Sequence, residues 1–127
     1  MTDPIAWASE VFAPFNLAWK EAPAKRGTTR LLGATADQAA LVDVTIRHSR
    51  VVAASAVLPI DAAYTAMLVW LLAVLVDTAT RKEADAFLAR ALSRLRRDRP
   101  SETAAPWHRW RVILTTNTLG LLTMQVR

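Results

Sequence analysis

Residues 35–57 read TADQAALVDVTIRHSRVVAASAV, and the structure assigned to them sets the class of the whole fold. Thr35 followed by Gln38 matches a capping box, in which two side chains satisfy the free N–H groups of a helix start. Leu41, Val44, His48, Val51, Val52 and Ser55 then fall on one face at helical spacing. Pro59 closes the segment, because the residue before a proline avoids the helical region. The pattern predicts one helix from Thr35 to about Val57.

The flanking sequence agrees. Asp3-Pro4 is a helix start, aspartate as N-cap and proline in the first turn. Ile5, Trp7, Ala8, Val11 and Phe12 follow before Pro14 interrupts, and residues 15–20 continue after a kink. Pro23, Gly27 and Gly33 make residues 21–34 a loop. Asp61 caps a helix from 62 to about 78. Thr80 with Glu83 opens another, to about Arg97, whose inner stripe is Ala84, Phe87, Leu88, Ala91, Leu92 and Leu95. Pro106 starts a last helix to Thr118 or further, with Trp107, Trp110, Leu114, Asn117 and Leu121 on one face. Only Leu121–Val126 is conceded to a strand. With 3 glycines in 127 residues and many alanines, the backbone preference is helical. The expected fold is all-α: one domain over residues 1–127, a compact bundle of four to five mostly antiparallel helices.

Ala62–Val76 is uncharged for 15 residues. A span needs roughly 20. Extending it to residues 51–76 brings in Pro59 and Asp61, and both flanks are basic, so no orientation rule is met. The run reads as the central helix of the bundle; a small membrane protein spanning at 51–76 is the remaining alternative. Absence of cysteine excludes disulfides, thiolate metal sites and a cysteine nucleophile. The start Met1-Thr2-Asp3-Pro4 does not resemble a signal peptide, and a cytoplasmic location is expected.

Charge is unevenly spread. Residues 81–111 hold nine basic side chains against four acidic ones, whereas residues 1–80 hold six against seven. Arg90, Arg94 and Arg97 line one side of the expected fourth helix, and Arg109 and Arg111 follow the break at Pro100. Arginine grips phosphate with a planar fork that lysine lacks. Lys25, Arg26 and Arg30 add a basic loop, though no Walker motif is present. Trp107 and Trp110 interleave with these cations as base-stacking residues do, but their spacing with Leu114 reads as core. Neither His48 nor His108, nor Asp37, Asp43, Asp61 and Asp77, forms a catalytic or metal-binding pattern. No catalytic residue, metal, cofactor or small-molecule substrate is expected.

In size, expected helicity and charge the whole chain resembles the small subunits of multi-subunit CRISPR effector complexes. Those are helical bundles that present basic side chains to guide RNA or to target and displaced strands. The resemblance is one of character and carries no residue by motif. It implies a non-catalytic subunit of a nucleoprotein assembly, with other protein subunits as neighbours, gripping the phosphate backbone of RNA or single-stranded DNA through an arginine-rich helical face without reading sequence. The competing expectation is a structural or oligomerising accessory protein whose arginines meet an acidic protein partner.

Overall fold

The computed structural model describes residues 3–76, 78–96 and 98–127, and a sheet occupies its centre. In chain order the elements are α1 (Pro4–Val11), a short 3-10 turn (Ala13–Phe15), β1 (Ala18–Ala22), β2 (Thr28–Ala34), β3 (Leu41–Arg47), β4 (Arg50–Pro59), α2 (Ala62–Val74), α3 (Arg81–Leu92), β5 (Ser101–Trp107), β6 (Trp110–Thr116) and β7 (Leu121–Val126). The seven strands form one sheet in the order β1-β2-β3-β4-β7-β6-β5. Every neighbouring pair is antiparallel. Two meanders, β1–β4 and β5–β7, therefore meet where β4 pairs with β7.

Alternation along the strands builds the core, since successive side chains point to opposite faces. The register carries one buried row across five strands: Leu31, Val44, Ala54, Val126 and Val112. Helix residues Ala8, Phe12, Met67, Leu68, Leu71, Phe87 and Leu88 join the same cluster. Among the described residues the opposite face carries no helix.

This overturns the expected all-α helical bundle. Residues 35–57 fold as a loop and the β3–β4 hairpin. Val42, Val44 and Ile46 are buried while Asp43 and Thr45 between them are partly exposed. β-Branched side chains suit this pleated surface and lose rotamer freedom in a helix. Thr35 caps no helix: its hydroxyl accepts from Ala40 N–H (3.2 Å) and its carbonyl from Gln38 N–H (2.8 Å). The same polar groups that cap a helix also close a turn. The expected last helix is the β5–β6 hairpin. Pro106 is tolerated there because β5 is an edge strand, where a missing N–H costs no ladder bond. Residues 28–34, expected as loop, are β2.

Three helix starts are found where the sequence places them. Asp3 accepts from Ile5 and Ala6, Asp61 from Ala63, and Thr80 from Glu83. The apolar stretch 51–76 divides between β4 and the 13-residue α2. Among the described residues no helix is long and apolar enough to cross a membrane.

Two contacts give measurable consequences. A Cβ built on Gly33 lies 2.9 Å from three atoms of the Trp19 ring, and Trp19 packs on Phe12 at 5.5 Å between ring centroids. Gly33→Ala must displace the indole and should destabilise by about 1–3 kcal/mol, the usual range for overpacking; urea unfolding measures it, and an unchanged midpoint would mean the indole is loosely held. In the β2–β3 loop, the Thr35 and Tyr64 hydroxyls and the Ala39 N–H donate to Asp37, lowering its pKa from 3.8 to about 2. A depressed carboxylate contributes stability above its ordinary pKa and loses it as the folded form protonates. Thermal stability should therefore fall as pH drops from 3.8 toward 2, and Asp37→Asn should flatten that part of the profile.

Candidate functional site

The two hairpins of tightest closure point the same way. Arg47 pairs with Arg50 across His48-Ser49, and Trp107 pairs with Trp110 across His108-Arg109. Such two-residue turns need a positive φ, which normally calls for Gly or Asn. Here His48 (51°), Ser49 (62°) and His108 (53°) adopt it without glycine. Each left-handed residue costs roughly 1–2 kcal/mol. A register shift between Thr45 and Ile46 also twists the base of the first hairpin and leaves Val52 exposed.

Both tips lie at one end of the sheet, together with the β1–β2 turn, the last residue of β7 and the start of α3. Their cations gather there: Lys25 and Arg26; Arg47 and Arg50; Arg109 and Arg111; Arg127; Arg81 and Lys82. Two like-charged pairs stand directly across from each other. Arg47 faces Arg50 on the last rung of β3–β4, and Arg111 exchanges both backbone bonds with Arg127, at 2.9 and 3.1 Å. Like charges directly opposite on a sheet repel. Val126 pairs with Ala54, so Arg127 arrives beside Ala53, three residues from Arg50.

Little of this charge is neutralised internally. Among the described residues Arg30 pairs with Asp43 (2.6 Å) and Arg96 with Asp98 (3.4 Å), and His108 Nε2 lies 3.3 Å from Glu83 Oε1. Arg30 is answered by Asp43 with Nε and Nη2 both donating, so its charge is already met within the chain. Arg81 lies over the Trp70 ring at 4.9 Å and Arg109 over Trp110 at 5.5 Å. Glu10, Glu21 and Asp85 form no ion pair among the described residues.

A cleft of about 790 Å³ opens beneath the tips. Its rim is Ser49, Arg50, His108 and Arg109, and its walls include Trp7, Val11, Val51, Leu75, Val76 and Trp110. Among the described residues no carboxylate lines it. Trp110 is 8% exposed, and its indole N–H, like that of Trp19, is buried without an acceptor among the described residues. By contrast Trp107 donates to Leu72 C=O (3.0 Å) and Trp70 to Val11 C=O (2.7 Å).

The arginines read together from the sequence are separated. Arg90 is in the last turn of α3, and Arg94 follows that helix. Arg109 and Arg111 are at the other end of β5, roughly 20 Å away at about 3.3 Å per residue. Arg97 and Asp77 lie outside the described residues. The second cleft, of about 630 Å³, is lined by Arg96 and Arg99 but also by Asp61 and Asp98, which balance them. Lys25 and Arg26 do reach the basic end, in a turn closed by Thr28 N–H on Lys25 C=O at 3.0 Å. Trp107 and Trp110 are core, yet on facing strands and not on one helix face. Arg47, Arg50, Arg81, Lys82, Arg127 and Ser49 were not singled out by sequence. The available signal was Arg47-His48-Ser49-Arg50 set between two alternating apolar runs. Among the described residues no group of three or more His, Asp or Glu side chains converges.

Comparison with known protein families, with curated proteins and with solved structures gives no match for this chain. The likeness to CRISPR effector small subunits rested on helicity, size and charge, and the sheet removes the first of these. Ser49→Gly relieves one left-handed residue and should raise stability by about 1 kcal/mol in urea unfolding; a loss of stability instead would show that the Ser49 side chain supports the tip.

Proposed function

We propose that this chain is a non-catalytic nucleic-acid-binding protein that grips the phosphates of RNA or single-stranded DNA with the turn end of its sheet. The observation that carries this is the juxtaposition of Arg47 with Arg50 and of Arg111 with Arg127 on adjacent strand pairs. A fold gains nothing from placing like charges across from each other. A polyanion turns that repulsion into attraction and releases its own counterions. The contacts are to backbone phosphates, so they orient the strand without reading bases. Arginine-rich turns take the place of the helical face expected from sequence. Overall charge supports the assignment: the chain carries a net +5, and Arg50 and Arg109 line the cleft.

Fluorescence anisotropy with labelled oligouridylate or oligothymidylate tests it. Engaging about four phosphates predicts a slope of about −3 for log K against log salt on a single strand. Arg47→Glu with Arg50→Glu should weaken binding more than about tenfold, whereas Arg94→Glu with Arg99→Glu should change it less than about twofold. Absence of binding at low salt, or equal loss from both variants, would overturn the proposal. Binding of polyglutamate in place of the oligonucleotides would point to an acidic protein partner instead.

A further inference from the structure

We infer that the cleft beneath the hairpin tips receives an unstacked nucleobase, whose flanking phosphates sit on Arg50 and Arg109. This rests on the nucleic-acid reading above and adds a site to it. Phosphate contacts alone need only an exposed basic surface. This end has in addition a cleft of about 790 Å³, within the range of ligand pockets.

Its composition is that of a base site. Trp7 and Trp110 are among its lining residues, and Val11, Val51 and Val76 add apolar side chains beside them. Flat aromatic ligands gain from stacking on such rings whatever their sequence identity. Arg50 and Arg109 make the rim cationic, and the rim residue His108 lies 3.3 Å from Glu83. Arg109 lies over the Trp110 ring, 5.5 Å from its centroid, which places a cation beside the cleft.

One further observation points to an occupant. The rim residues are held by strained turns: Ser49 and His108 both have positive φ. Strain of this kind persists where the surrounding structure fixes it and gathers at ligand sites.

The test compares ten-residue oligothymidylate with a ten-residue abasic chain of the same charge, with protein tryptophan fluorescence as the second readout. The proposal expects the abasic chain to bind about tenfold weaker, with quenching by the base-containing chain only. Trp7→Leu keeps an apolar side chain on α1 but offers no stacking plane, and should bring oligothymidylate down to the abasic affinity. Equal affinity of the two wild-type complexes overturns the base site and leaves phosphate binding standing. Failure of both chains to bind removes both proposals. A third arm uses dodecyl phosphate: if it quenches tryptophan while oligothymidylate does not, the cleft takes an acyl chain and the base site is excluded.

Discussion

The pairing of β4 with β7 is the constraint on which the molecule depends. It joins a four-stranded meander to a three-stranded one in a single sheet. Its register brings Ala54 opposite Val126 and Leu58 opposite Leu122, four buried side chains on one face. α2 and α3 form the connection between the meanders, and they return across the face that the pairing creates. Because strand faces alternate with period two, a one-residue slip would turn every one of those apolar side chains to the open face. The core therefore fixes the register, and the register in turn fixes which residues stand at each end of the sheet.

That geometry explains why the basic end exists. Antiparallel strands return the chain to the same end every second turn. The β1–β2, β3–β4 and β5–β6 turns and the end of β7 share one end, while the β2–β3 loop, the β4–α2 junction and the β6–β7 turn share the other. Each of the first set brings at least one cation. The second set brings Asp37 and Asp61, the first tied into hydrogen bonds with Thr35 and Tyr64. That second end also holds Arg96 and Arg99, which Asp61 and Asp98 balance, so the two ends differ in charge.

Much of the helical part was legible. Asp3, Asp61 and Thr80 cap as their chemistry dictates, and Ala84, Phe87, Leu88 and Ala91 form the buried stripe their spacing describes. Of the strands only Leu121–Val126, conceded from sequence, was read, and it is β7; the others were missed for identifiable reasons. Alanine in β4, as Ala53, Ala54 and Ala56, is a strong helix former that the sheet overrides, because a small side chain fits under the packed helices. Thr35 and Gln38 look alike at a helix start and in a turn. Pro106 suits a first helical turn and an edge strand equally. Val42, Val44 and Ile46 alternating with Asp43 and Thr45 was the signal that favoured a strand, and the 3.6-residue pattern of other positions masked it.

The candidate site was harder still, because charge close in sequence is not charge close in space. Arg94 and Arg109 are separated by fifteen positions, yet β5 stands between them at full extension. Arg47 and Arg127 are eighty positions apart, and the β4–β7 pairing makes them neighbours at one end. In a helical bundle, residues one turn apart share a face, so a local run of arginines does define a patch. In a meander the corresponding unit is the turn. A basic surface is then assembled from single residues at successive turns, each unremarkable alone. Once the sheet is known, the informative quantity is the identity of the residues flanking each two-residue turn. Here those are arginine on arginine and tryptophan on tryptophan: a charged rung beside an aromatic one, with a cleft between.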